Sequence, residues 1–173
     1  NGYLSYENKG SGTTNGSYWN ATVVISAAGF EAYDIIFENS YNQYISQKES
    51  EDVVVMWAVG SKGARPTTVG SVAVQNKSFV ERAAAIAYTS SGDKSILYKC
   101  RVVGRQDSFF GGNNARVVIY KGAMMGGTDY LFGGMVAVFY QSDLVMNTSD
   151  VSGDVCYITA AQQSSGRGYL MYE

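Results

Sequence analysis

Short runs of β-branched and aromatic residues, separated by glycine, serine and asparagine, recur along most of the chain. In Ala115–Lys121, for example, Val117 and Ile119 alternate with the residues that would face the other way. This period of two is typical of a strand with one buried face, and it predicts about nine short strands. The predicted strands are Tyr18–Ser26, Tyr33–Glu38, Val53–Gly60, Thr67–Gln75, Ser95–Val103, Ala115–Lys121, Met135–Gln141, Val155–Ala160 and Gly168–Tyr172.

Many short strands joined by small turns favour a mainly β fold: a β-sandwich, a jelly roll or a closed antiparallel barrel. One short helix is predicted at Phe79–Tyr88, because Ser78 and Glu81 match a capping box and strong helix formers follow. A hairpin that turns at residues 90–93 is the alternative. Residues 1–16 are rich in glycine, asparagine, serine and threonine, which predicts a flexible N-terminal arm before a single β domain at 17–173.

A pair of large apolar residues followed by two glycines occurs three times, and we call these pairs the apolar doublets. Glycine pairs are typical of bulges and loops, so the doublets are predicted to be either β-bulges or hydrophobic contacts between subunits. Their spacings of fifteen and seven residues are unequal, which argues against a solenoid. We expect all six apolar side chains to be buried in an assembled oligomer. They are Phe109, Phe110, Met124, Met125, Leu131 and Phe132.

The amino-acid composition says little more about the fold, but it excludes several kinds of catalytic and metal-binding site. The chain has 173 residues with 14 Tyr, 20 Gly, 16% charged residues and no His, and its formal net charge is −2. Without histidine the usual nucleophile–base triads are excluded, and with no CxxC motif either there is no recognisable zinc site. No phosphate-binding loop is present. We therefore predict no cofactor and no metal. The charge gives no support to a nucleic-acid partner, and no apolar run approaches the roughly 20 residues that span a bilayer.

Exposed aromatic residues are candidates for contact with a glycan or a receptor, because their rings stack on sugar faces. The candidates are Trp19, Tyr41, Tyr44 and Tyr130. Cys100 and Cys156 lie in strand-like segments and could form a disulfide if their strands are neighbours. Paired carboxylates could support glycoside hydrolysis, but the one dense acidic group, at residues 49–52, is interpreted as a solvated turn.

Low charge, abundant tyrosine and glycine, and the lack of catalytic motifs together predict a non-enzymatic attachment protein. It would be the head of a viral or phage fibre, or a surface adhesin, that forms a homo-oligomer such as a trimer and binds a glycan or host receptor. One alternative is a structural subunit of a tube, filament or shell, and a second is a carboxylate-based glycoside hydrolase. The first residue is Asn1 rather than methionine, which is typical of a processed product, and we expect an extracellular or virion-surface location.

Overall fold

The computed structural model describes residues 21–51, 66–75, 82–147 and 155–173. These residues form fourteen short strands. In chain order the strands are β1 Val23–Ile25, β2 Glu31–Tyr33, β3 Ile36–Glu38, β4 Ile86–Tyr88, β5 Ser95–Tyr98, β6 Arg101–Val103, β7 Phe109–Gly111, β8 Arg116–Tyr120, β9 Ala123–Gly126, β10 Thr128–Gly133, β11 Val136–Tyr140, β12 Asp143–Met146, β13 Tyr157–Ala161 and β14 Tyr169–Tyr172. The helical elements are a short helix α1 at Gln47–Glu51 and 3₁₀ turns at Ser40–Asn42 and Ala73–Gln75.

Every third strand belongs to the same sheet, and every pairing between these strands is parallel. Sheet A contains β1, β4, β7, β10 and β13, sheet B contains β2, β5, β8, β11 and β14, and sheet C contains β3, β6, β9 and β12. The chain thus passes through the three sheets in turn and then starts again one strand further along. This is a parallel β-helix, and we call one passage through the three sheets a coil.

The corner between sheets B and C is sharp because one residue of each coil adopts the left-handed conformation there. These residues are Asp34, Lys99, Lys121 and Gln141, with φ between 48° and 56°. The backbone N–H of each donates to the carbonyl of the last sheet B residue of the next coil, at 2.8–3.0 Å. One left-handed residue therefore turns the chain while the ladder of hydrogen bonds between coils continues without a gap.

Alternate residues of sheet B point into the core. Leu97, Ile119 and Phe139 lie in register on three successive coils, and each is at most 1% exposed. Their neighbours in sequence face outwards, as the period of two requires. The hydrophobic side chains therefore stack in rows along the β-helix instead of meeting across two separate sheets.

A row of five tyrosines runs along the outer face of sheet B, and we call it the tyrosine ladder. It consists of Tyr33, Tyr98, Tyr120, Tyr140 and Tyr172, one from each coil. Successive ring centroids are 6.2, 5.2, 5.1 and 5.5 Å apart. Contacts between neighbouring rings add to the backbone pairing, so the ladder ties each coil to the next.

Removing the central ring of the tyrosine ladder is expected to destabilise the β-helix. Tyr120→Ala loses two ring contacts, each worth about 0.5–1.5 kcal/mol beyond the area buried. Tyr172→Ala loses one ring contact and is the matched control. Urea denaturation should show the larger loss for Tyr120→Ala; equal losses would show that ring contacts do not hold the coils together.

The prediction of a β-sandwich, jelly roll or closed antiparallel barrel is wrong, because the sheets are parallel and belong to a β-helix. The alternation of apolar and polar residues shows which face of a strand is buried. The alternation is the same whether the neighbouring strand is parallel or antiparallel. The single predicted strand Ser95–Val103 is two strands, β5 and β6, with the corner residue Lys99 between them.

The helix predicted at Phe79–Tyr88 is wrong over its described part, because Ile86–Tyr88 is strand β4, which pairs with β1 and β7 in sheet A. Thr67–Gln75 contains a 3₁₀ turn in place of the predicted strand. The predicted strand Val53–Gly60, the start of the predicted helix and the predicted arm at 1–16 lie outside the described residues. In the described part of the chain, no helix has the length and apolarity that a membrane crossing requires.

The apolar doublets lie in strands. Phe109 and Phe110 pair in register with Leu131 and Phe132 on the next coil of sheet A. The spacings of fifteen and seven residues between the three doublets therefore add up to the length of one coil. A glycine after the doublet lets a neighbouring side chain pack closely against the backbone. A Cβ on Gly111, for example, would lie 2.2 Å from the Met135 side chain. The pattern is therefore a solenoid repeat with its middle copy in sheet C.

Candidate active site

Two aspartates occupy the same position on consecutive coils, where the chain passes from sheet C into sheet A. Asp107 lies between β6 and β7, and Asp129 lies near the start of β10. The bridge between Gln106 and Thr128 on one side and the pair Phe109–Leu131 on the other place the two aspartates side by side. Paired strands are about 4.8 Å apart, so the two carboxyl groups start from neighbouring backbone positions.

Both aspartates adopt the left-handed conformation, with φ of 57° for Asp107 and 48° for Asp129. The register between β10 and β13 also shifts between Thr128 and Leu131. A left-handed residue at a bulge redirects its side chain, and backbone outliers of this kind are concentrated at functional sites. The same local distortion on adjacent coils therefore marks this pair as a candidate site.

Hydrogen bonds hold the two loops together. The Asp107 N–H donates to the Thr128 carbonyl at 3.0 Å. The carbonyl of Arg105 accepts from the N–H groups of Gly127 and Thr128, at 2.7 and 3.1 Å. The backbone leading into Asp129 is thus fixed directly on the backbone leading into Asp107.

The residue after each aspartate is buried beneath the pair. Ser108 is 1% exposed and Tyr130 is fully buried. They pack this closely because glycine stands opposite: a Cβ on Gly126 would lie 2.2 Å from the Tyr130 Cβ and 3.0 Å from the Ser108 Oγ. Burial raises the pKa of the Tyr130 hydroxyl to about 12, so this group stays protonated below the site.

Both carboxyl groups of the pair lie where water is partly excluded. Burial raises the pKa of the Asp129 carboxyl, because a charged group is disfavoured where water is excluded. Asp107 is only 5% exposed. In a partly dry site a carboxyl group keeps its proton to higher pH than it does in water.

Donor groups occupy the position just before each aspartate and the matching position one coil earlier. Arg82, Gln106 and Thr128 are bridged to one another on three successive coils and form a polar row beside the pair. A guanidinium and a carboxamide are suitable donors for an oxygen that becomes negatively charged during a reaction. The described residues contain no group of three or more histidine, cysteine or acidic side chains placed to hold a metal ion.

The structure separates the glycan-contact candidates. Tyr44 is 47% exposed and stays a candidate, whereas Tyr41 is buried. Tyr130 is in the core below the carboxyl pair, so its ring offers no face to a glycan. Trp19 lies outside the described residues.

The subunit-contact candidates separate in the same way. Phe109, Met124 and Leu131 are fully buried within this one chain, which leaves them no surface for another subunit. Their partners in the doublets are half-buried, and a subunit contact through them stays a prediction. These partners are Phe110, Met125 and Phe132.

The disulfide is not formed. Cys100 and Cys156 are both reduced thiols. The Cys100 thiol lies at the corner of sheets B and C near the Ala32 carbonyl, while the Cys156 thiol lies near the Gly126 carbonyl. The two strand-like segments are therefore not neighbours.

Sequence reasoning missed both aspartates, although a signal for them is present. Asp107 and Asp129 each stand two residues before an apolar doublet, so the repeat is an aspartate, any residue, two apolar residues and two glycines. The middle doublet has Gly122 at that position and lies in a different sheet. Aligning the first and third doublets would have brought the carboxyl groups together.

Several pectin methylesterases of known structure have the same fold as this chain. The chain matches the enzyme from Erwinia chrysanthemi at 23% identity with a TM-score of 0.61, covering 91% of this chain and 43% of that one. It matches the enzyme from Yersinia enterocolitica at 20% identity with a TM-score of 0.65, covering 91% and 46%. The chain thus spans less than half the length of the structures that it matches. No curated protein matches at a significant level.

The family comparison agrees with the fold comparison. Residues 58–168, more than half of the chain, match the Pectinesterase family model. The family match overturns the prediction of a non-enzymatic attachment protein, which is wrong. It also replaces the viral and structural classification and the alternatives of a tube subunit and a glycoside hydrolase. The chain belongs to the pectinesterase family.

Proposed function

We propose that this chain carries the carboxyl pair of an esterase that hydrolyses the methyl esters of pectin. The observation that carries the proposal is the placement of Asp107 and Asp129 side by side on adjacent coils. The family match supports the type of reaction. One matched structure, at 25% identity, is an aspartate-to-alanine mutant of pectin methylesterase in complex with a hexasaccharide, which supports an oligosaccharide as the ligand.

A singly protonated pair has both groups that ester hydrolysis needs. The ionised carboxylate takes a proton from a water molecule, whose oxygen attacks the ester carbonyl carbon. The bond from that carbon to the methoxy oxygen then breaks, and the protonated carboxyl group gives its proton to the leaving oxygen. The products are methanol and a sugar carboxylic acid, and the pair again holds one proton.

The polar row supports the intermediate of this reaction. Attack on the carbonyl carbon places negative charge on the carbonyl oxygen, and fixed donors stabilise that charge. Gln106 and Arg82 stand beside the aspartates and supply the donors in this proposal. The buried residues beneath the pair keep water away from it on the inner side.

We also propose that the protein acts outside the cell. Membership of the pectinesterase family agrees with the extracellular location expected from the sequence and gives no support to a virion surface. The expected homo-oligomer stays a prediction.

Methanol release tests the proposal. The protein is expected to release methanol and acid in equal amounts from highly methyl-esterified pectin. The rate should be bell-shaped in pH, since it rises when the first proton leaves the pair and falls when the second leaves. The raised pKa of Asp129 places the falling limb above the ordinary value of 3.8 for an aspartate. A folded protein that releases no methanol between about pH 4 and 9 would contradict the proposal.

A further inference from the structure

A buried arginine stands directly before the candidate active-site loop. Arg105 is 7% exposed and is separated from Asp107 only by Gln106. Its carbonyl accepts the two N–H groups that precede Asp129. Arg105 is thus joined to one aspartate through the chain and to the other through backbone hydrogen bonds.

The side chain of Arg105 reaches in two further directions. Its Nη1 donates to the Asn147 carbonyl at 2.9 Å, just after β12 and two coils further along the β-helix. Its Nη2 donates to the Gln75 Oε1 in the 3₁₀ turn Ala73–Gln75. The Gln75 Nε2 in turn donates to the Gln43 carbonyl at 3.0 Å. A polar chain therefore runs from residue 43 to residue 147 through this one guanidinium.

Only an arginine side chain can make both hydrogen bonds at the centre of this polar network. A guanidinium has five N–H donors fixed in a plane, so it can serve acceptors on two sides at once. A lysine ammonium on its flexible stem can reach one of these acceptors but does not span both. The acceptors at Asn147 and Gln75 belong to different parts of the fold, and the planar guanidinium holds them at a fixed spacing.

We propose that Arg105 is a positioning residue that fixes Asp107 and Asp129 at their working separation by clamping the loop between three coils. This inference rests on the proposed esterase function, because it assigns Arg105 a role in that reaction. The Arg105 side chain holds the loop through its bonds to Asn147 and Gln75. It acts through the backbone of the two loops, and a small displacement of a catalytic group is known to slow a reaction strongly.

Arg105→Met is the test variant, and Arg101→Met is the matched control, since Arg101 is an exposed arginine in the strand that leads to the same loop. We expect kcat of Arg105→Met to fall about 10- to 100-fold while KM changes less than about threefold. The falling limb of its pH profile should move to lower pH, because water that enters the loosened loop lowers the pKa of Asp129. Arg101→Met should leave kcat and the pH profile unchanged.

A purely structural role predicts a different result. In that case Arg105→Met lowers the denaturation midpoint but leaves kcat per folded molecule and the pH profile unchanged, which would overturn the inference. If Arg105→Met does not fold, Arg105→Lys should show the same changes with smaller size, and an unchanged pH profile there would also overturn it. Methanol release by the unsubstituted protein keeps the two proposals apart, since its absence contradicts the esterase function itself.

Discussion

Replacing either Asp107 or Asp129 with asparagine is expected to lower kcat for methanol release by about 10²–10⁴-fold. Asparagine keeps the shape of the side chain but can neither accept a proton from water nor donate one to the leaving oxygen. Asp93→Asn is the matched control. Asp93 is a carboxylate on another corner, where it binds the Arg116 guanidinium through contacts of 2.9 and 2.6 Å.

The stability of the variants separates loss of chemistry from loss of fold. Burial raises the folded-state pKa of Asp129, so this group stabilises the fold when protonated, and that stability is lost as the pH rises through the folded pKa. A neutral Asp129→Asn should therefore melt at a higher temperature than the unsubstituted protein at pH 7. Asp93 behaves oppositely, since Arg116 holds its pKa well below the usual range and the ionised form is stabilising.

Three outcomes can be distinguished by measuring activity and melting together. Inactive variants that keep or gain thermal stability support a catalytic carboxyl pair. Full activity in either variant would contradict the pair as the site of reaction. An Asp93→Asn protein that is folded but inactive would show that charge anywhere on the surface matters, and not the pair itself.

The second large effect concerns stability: Gly133→Ala is expected to destabilise the fold by about 4–5 kcal/mol or more. Gly133 has φ of 97°, and a Cβ there would lie 2.2 Å from the Gly111 carbonyl oxygen. Two backbone segments of sheet A would have to move apart, since neither atom belongs to a flexible side chain. Urea denaturation or loss of soluble protein measures the effect.

Two other glycines separate the clash from backbone strain. Gly166 has φ of 80° and a Cβ there would meet nothing within 4 Å, while Gly168 has open space without a positive φ. Gly166→Ala should cost about 1–2 kcal/mol through strain alone. Gly168→Ala should change stability by less than about 0.5 kcal/mol. Equal effects at the three positions would show that contact between coils does not set the need for glycine at 133.

The sequence predicts individual strands well where one face is buried. Ala115–Lys121 and Met135–Gln141 are predicted as strands and correspond to β8 and β11. The alternation of apolar and polar residues does not show whether the neighbouring strand is parallel or antiparallel, because it depends only on which face of the strand is buried. The β-helix follows from pairing between residues one coil apart, and that distance varies from coil to coil.

The helix expected at Phe79–Tyr88 is a case in which packing between coils overrides the helix propensity of the local sequence. Residues 83–85 are alanines and are at most 2% exposed. Alanine favours helices in isolation, but here small side chains let β4 and the residues before it lie close to the neighbouring coil. The capping-box pattern in front of them is a weak signal beside that requirement.

The candidate site is beyond sequence reasoning for a different reason. A carboxyl pair is a spatial arrangement, and Asp107 and Asp129 become neighbours only when the register between β7 and β10 is known. The dense acidic group at residues 49–52 stands out in the sequence only because its members are close along the chain. The repeated aspartate before two of the doublets holds the register information, but the middle doublet obscures it.

The placement of the pair on adjacent coils limits how this architecture can change in length during evolution. A β-helix grows by whole coils, and each coil contacts only its neighbours. A coil duplicated before Asp107 or after Asp129 would leave the two carboxyl groups side by side. A coil inserted between them would double their separation to about 10 Å and end the proton sharing that the proposed mechanism needs. The side-by-side placement of the pair is therefore unaffected by coils added on either side, but not by a coil added between the two aspartates.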